Sequence, residues 1–158
     1  MTRHLRIVAA GVLLAWPAVT SEAAGAAGRS YGGTCQVGVT HSIAKDVYPR
    51  TIYFDGGAKC DSLGKPAVVF QDAQSYLWTA YNHATVSRGD RFRGYTDWSH
   101  SRGAYPGADK GQKYLVVVDV ELQTPDGSNW ANFAGDDCTG QGTPVMRCHV
   151  VGKTFTVS

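Results

Sequence analysis

Tyr114-Leu115-Val116-Val117-Val118-Asp119-Val120-Glu121-Leu122 is the stretch on which the fold turns. Valine is branched at Cβ, loses rotamer freedom in a helix and packs well on a pleated surface. From Leu115 to Val118 apolar side chains fall on both parities, so a strand here is covered on both faces and sits centrally in its sheet. A turn with a clear mechanism follows at Pro125-Asp126-Gly127. Proline presets φ, aspartate bonds its own backbone, and glycine accepts φ > 0.

Working outward, further strands are expected at Cys35–Thr40, at Arg50–Asp55 ending on the turn signal Asp55-Gly56-Gly57, and at Ala67–Phe70. Others are expected at Thr85–Ser87, Arg91–Arg93 and Thr154–Val157, with a returning strand over Asn129–Phe133. Ala73, Tyr76, Leu77, Ala80, Tyr81 and Ala84 fall at helical spacing behind Asp72 as N-cap, so a short helix is expected near residues 73–83, although Tyr76-Leu77-Trp78-Thr79 has strand composition. Gly94 to Gly111 shows no periodicity and reads as a long irregular loop, uncommon in a compact domain unless functional or mobile. The fold class is therefore mainly β: a single antiparallel β-sandwich-like domain, an immunoglobulin-like sandwich among its forms, with at most one short helix and two disulfides.

Composition agrees. The chain has 158 residues with 19 Gly, 8 Tyr, 5 Phe and 4 Trp, and only 18% charged residues. That mixture excludes disorder and a coiled coil. Arg3, His4 and Arg6, the apolar run Ile7–Val19 and the small residues Ala23–Gly28 have the layout of a secretory signal peptide. Residues 1–26 are expected to be removed, with cleavage after Ala23 as the second choice, and residues 27–158 to form one secreted domain, extracellular or periplasmic. The apolar run is too short to span a bilayer, and no membrane anchor is expected in the mature chain. The even set Cys35, Cys60, Cys138 and Cys148 then reads as two disulfides. Four cysteines allow three connectivities, and the local pairs Cys35–Cys60 and Cys138–Cys148 are the expected ones. Zinc is the rival reading, but the sequence has no C-x-x-C.

Net charge is +2, which argues against a strongly basic nucleic-acid protein. The charge is nonetheless segregated. Arg88–Lys113 holds six basic residues against three acidic ones, a local +3, interleaved with Tyr95, Trp98, His100 and Tyr105. Guanidinium forks bind carboxylates, sulfates and phosphates, and aromatic faces stack on sugar rings or bases. The expected ligand surface is Arg91, Arg93, Tyr95, Trp98, His100, Arg102 and Tyr105. The expected function is a secreted, non-enzymatic binding protein for a glycan, another anionic polymer, or a partner protein such as a hydrolase that it inhibits. The alternative is a small secreted hydrolase, a nuclease for instance, using His100 with Asp97, Arg91 and Arg93. Arg88-Gly89-Asp90 resembles a cell-adhesion tripeptide, but its place at a strand turn explains it. No G-x-S-x-G, H-E-x-x-H, phosphate-cradling or dinucleotide motif occurs, and no cofactor or metal is expected. Asp126-Gly127-Ser128-Asn129 and Asp136-Asp137 carry calcium-type oxygens, yet their spacing matches no complete EF-hand loop.

Overall fold

A computed structural model describes residues 30–45, 49–131 and 137–158. The expected leader, 1–26, lies outside the described residues. Among the described residues there are strands and no helix. In chain order the strands are β1 (Ser30–Tyr31), β2 (Gly33–Ala44), β3 (Arg50–Ser62), β4 (Lys65–Pro66), β5 (Val69–Thr79), β6 (Thr85–Arg88) and β7 (Phe92–Thr96). They continue with β8 (Ser101–Ala108), β9 (Lys113–Gln123), β10 (Asn129–Trp130), β11 (Cys138–Thr139), β12 (Val145–Val151) and β13 (Phe155–Thr156).

Two sheets face each other. One has the order β11-β12-β9-β5-β6, with β7 continuing the edge beside β5 and β13 beside β9. The other has the order β2-β3-β4, with β8 also on β3. When β6 and β7 are counted as one interrupted edge strand, the long strands run first-second-fifth in one layer and fourth-third-sixth-seventh in the other. That is the order of an immunoglobulin-like Greek key with its fourth strand in the second sheet. Both disulfides join direct cross-strand partners within a sheet, Cys35–Cys60 on β2 and β3 and Cys138–Cys148 on β11 and β12. These are the expected pairings.

The strand at 114–122 is central, as its composition requires. Val116, Val118, Val120 and Leu122 point between the sheets, and Leu115 and Val117 on the other parity are buried as well. Beside them in the same sheet stand Val69, Ala73 and Leu77 of β5, and Ile52, Phe54, Ala58 and Cys60 of β3 face them from the other sheet.

Four expectations need correction. Where a helix is expected near 73–83, residues 73–79 form the second half of β5 and a turn follows at 80–82. Val69, Gln71, Ala73, Ser75 and Leu77 are fully buried and alternate with half-exposed Phe70, Asp72, Gln74, Tyr76 and Trp78. That is a period of two, and pairing with β9 on one side and with β6 and β7 on the other overrides the helical spacing of the alanines. Gly94–Gly111 is not one irregular loop either, because β7 and β8 account for most of it. The inward positions of β8 hold Ser101, Gly103 and Tyr105 and the outward ones Arg102, Ala104 and Pro106, so neither polar nor apolar residues keep to one face. Asp55-Gly56-Gly57 does not end a strand, since β3 runs straight through it. As for Asn129–Phe133, Asn129 and Trp130 pair parallel with β1 and not with β9, and the last two residues lie outside the described ones.

Candidate functional site

The chain from Thr96 to Ser101 leaves one sheet and joins the other. This crossover divides the seven expected ligand residues among three places. Arg91, Arg93 and Tyr95 lie on the outer face of the seven-stranded sheet. Trp98, His100 and Arg102 lie on the outer face of the four-stranded sheet. Tyr105 turns inward and its ring stands 5.9 Å from that of Tyr114.

On the seven-stranded face the charges are paired with one another. Arg91 holds Asp72 through two hydrogen bonds of 2.7 and 2.6 Å, and Arg93 approaches the same carboxylate at 3.7 Å. The Arg91 hydrogen bond keeps the Asp72 carboxyl below the ordinary aspartate range, against an opposing push from burial. Arg147 meets Glu121 at 2.9 Å, and His149 meets Asp119 at 2.6 Å. The register sets Arg147, Glu121, Asp72 and Arg93 in one row across four strands. Arg93 also lies over the Phe70 ring, whose edge meets Tyr95. The groove here measures about 510 Å³, but its guanidinium groups are committed to its own carboxylates.

The four-stranded face is arranged differently. Its outward rows, read across β2 and β3, are Gln36 and Lys59, then Gly38 and Gly57, then Thr40 and Asp55, then Ser42 and Tyr53. The second row, Gly38 and Gly57, has no side chains, so the sheet has a bare floor there. Gly57 must be glycine because a Cβ would lie 2.1 Å from the Ser99 carbonyl oxygen, whereas a Cβ on Gly38 would meet nothing within 4 Å. The crossover segment forms the wall. Ser99 N–H donates to the Ala58 carbonyl at 2.9 Å, Ser99 Oγ accepts from Ala58 N–H at 3.0 Å, and Trp98 bridges to Lys59. Trp98 is left 57% exposed, with the His100 ring 4.3 Å from its own.

His100 is fixed by Asp55. Its Nδ1 lies 2.7 Å from Asp55 Oδ2, and Arg102 Nε donates to the same oxygen at 3.3 Å. Asp55 Oδ1 is buried and has no hydrogen-bond partner among the described residues. Thus the pairing of His100 with Asp97 does not form. Asp97 contributes its backbone carbonyl, which accepts from Cys60 N–H at 2.7 Å. Arg91 and Arg93, the other members of that expected group, are on the opposite face of the sandwich. The groove over the glycine floor is about 340 Å³ and is lined by Gln36, Thr40, Asp55, Lys59, Trp98 and His100. It continues into a second depression bordered by Tyr53 and Arg102.

Sequence reading missed Asp55, Lys59, Gln36, Thr40 and Tyr53 because they lie on strands remote in the chain from the basic segment. One signal was present. Two adjacent glycines inside the strand-forming run Thr51-Ile52-Tyr53-Phe54…Ala58 mark a place where another backbone comes close. The tripeptide Arg88-Gly89-Asp90 is built into the joint between the sheets, with Gly89 N–H on the Ser75 carbonyl and Asp90 N–H on that of Arg102. Asp126 Oδ1 accepts from Ser128 N–H as turn chemistry requires, and Asp136 lies outside the described residues. Among the described residues no group of three or more His, Cys, Asp or Glu side chains is placed to hold a metal, and no helix is long and apolar enough to cross a membrane.

No family model matches the chain, and no curated protein or solved structure matches it at a significant level. The functional reading therefore rests on the geometry of the two faces.

Proposed function

We propose that this is a secreted binding protein for an anionic glycan, which it holds on the outer face of the four-stranded sheet. One observation carries the reading: an exposed tryptophan, braced by His100, stands beside a glycine floor that has Lys59 at one end and Arg102 at the other. A flat sugar ring stacks on an indole at little entropic cost, and cations at either end favour an acidic sugar over a neutral one. The opposite face lacks this arrangement, because Arg91 and Arg147 are held by Asp72 and Glu121. The leader-like N-terminus and the two disulfides support secretion.

The test is titration of the disulfide-bonded protein with alginate, polygalacturonate, hyaluronan and heparin, with dextran as the neutral control. Trp98→Ala is expected to weaken binding roughly tenfold or more, the scale of one stacked ring. Arg93→Ala, on the far face, leaves it unchanged. Equal affinity for dextran, or an Arg93→Ala loss matching that of Trp98→Ala, overturns the reading. N-terminal sequencing of protein recovered outside the cell tests secretion. A chain beginning at Ala27 is expected, and one retained in the cell with Met1 intact counts against it.

A further inference from the structure

The groups around the Trp98 groove are those that a particular bond cleavage in acidic glycans requires. We propose that the protein cleaves a polyuronate by β-elimination at this face. The inference rests on the anionic-glycan reading and adds a reaction to it.

In a 4-linked uronate the C5–H bond is adjacent to the carboxylate, and the glycosidic oxygen leaves from C4. A base takes the C5 proton, the electron pair forms a C4=C5 double bond, and the C4–O bond breaks. The departing oxygen receives a proton, so atoms and charge balance with no oxidant, reductant or water consumed. The reaction asks for three things: a cation to withdraw charge from the carboxylate, a neutral base over C5, and an acid near O4.

Each has a counterpart on this face. Arg102 is 70% exposed in its side chain, and its Nε engages Asp55. Its terminal amino groups have no hydrogen-bond partner among the described residues, which leaves them for a uronate carboxylate. His100 is the base. Its Nδ1 is occupied by Asp55, so Nε2 is the nitrogen left to accept the proton, and the Asp55 carboxylate then lies beside the imidazolium that forms. Asp55 is a positioning residue. Tyr53, 52% exposed, is the acid. It lies two residues from Asp55 on the same face of β3, roughly 6.6 Å along the strand. The phenol gives its proton to the leaving oxygen and recovers one from His100 or solvent after product departs. Lys59 stands four residues from Asp55 in the other direction, roughly 13 Å along β3. Trp98 and Lys59 therefore supply a stacking platform and a second carboxylate contact for the neighbouring sugar. The polymer lies along β3 rather than across it.

The experiment incubates the disulfide-bonded protein with alginate, polygalacturonate and hyaluronan separately. It follows the ultraviolet absorbance of the conjugated C4=C5 uronate, with mass spectrometry of the ends. An unsaturated end one water lighter than a hydrolytic end is expected from at least one polymer. His100→Ala lowers the rate about 100-fold or more, and Tyr53→Phe moves it in the same direction. Asp55→Asn lowers kcat and leaves KM, and Asp55→Glu recovers part of the loss, which a purely structural role would not produce. Thermal unfolding verifies each variant, and if His100→Ala fails to fold, Tyr53→Phe decides. Polymer that binds without yielding an unsaturated end overturns the elimination and leaves the binding reading standing. Saturated ends, or His100→Ala at the full rate, also overturn it. Absence of binding to any of the polymers overturns both.

Discussion

Two glycines that face each other across β2 and β3 have opposite tolerances. Gly57 is pressed under the Ser99 carbonyl, a backbone atom that cannot move aside without disturbing the wall of the groove. Gly57→Ala is expected to cost about 1–3 kcal/mol, the usual range for overpacking. Gly38 has open space above it, and Gly38→Ala should be neutral or stabilising by up to about 1 kcal/mol, since glycine is entropically costly in a strand. Urea midpoints of the two variants decide the ranking, and the reverse order would mean that the floor is not as described. A second residue-scale effect belongs to His41, whose ring stacks on Phe155 at 3.6 Å. Burial lowers its pKa, so the folded protein binds this proton less readily than the unfolded chain. The sign follows directly. The penalty is absent above the ordinary histidine value of about 6.5, grows as pH falls through it, and levels off below the lowered folded value. His41→Phe, which keeps the stack, should therefore gain thermal stability relative to the parent as pH is lowered through that range. A constant difference at all pH values would contradict it. Single residues were legible in the sequence where chemistry is local, as with the cysteines and Asp126. The partner of His100 was not, because Asp55 is brought to it only by the β3–β8 register.

The elements that could be read from the sequence are those whose burial is simple. From Tyr114 to Val118, β9 is buried on both faces and its residues are apolar on both parities. β5 is equally central, but its buried positions include Gln71 and Ser75, and its outer positions include Tyr76 and Trp78. Hydrophobicity therefore does not alternate with burial, and the alanines suggested a helix instead. β8 lies at an edge and mixes polar, small and aromatic residues on its inward face, so it left no pattern to find. The disulfides bind elements of different kinds. Cys35–Cys60 spans 25 residues and joins two long strands within the core, while Cys138–Cys148 spans 10 and ties the short β11 to β12. On the chain-entropy model the two closures are worth about 3.5 and 2.7 kcal/mol. All four cysteines are buried in one core cluster, so the two disulfides differ chiefly in the loop each closes. Cys35→Ala with Cys60→Ala is thus expected to lower stability by more than Cys138→Ala with Cys148→Ala. Denaturant unfolding of the two double variants measures the difference, and equal losses would show that loop-closure entropy does not set their relative contributions.

At the scale of the whole molecule, the sandwich explains why a charge-segregated stretch of sequence is not one surface. The basic segment crosses between layers at Thr96–Ser101 and delivers its two halves to opposite outer faces. What unites the layers at this side is polar. Ser75 N–H donates to Ser101 Oγ at 2.7 Å, Ser75 Oγ donates to the Ser101 carbonyl at 2.6 Å, and both residues are fully buried. Gly89 N–H and Asp90 N–H extend the seam to either side. Removing the Ser101 hydroxyl leaves the Ser75 amide without its acceptor in the interior, at a cost of about 1–3 kcal/mol. Ser87 Oγ, which reaches the Ala104 carbonyl at 3.0 Å in an exposed setting, provides the contrast, and Ser87→Ala should change stability by no more than about 0.5 kcal/mol. Because the seam belongs to both sheets, the Ser101→Ala loss should appear equally in far-ultraviolet circular dichroism and in tryptophan fluorescence, with one shared midpoint in urea. Trp78 on β5 and Trp98 beside β3 place emitters on both layers, so separate unfolding of the sheets would split the fluorescence transition. A split in the parent protein would mean that the layers are independently stable. A split only in Ser101→Ala would mean that the seam, rather than the apolar core, makes them one cooperative unit.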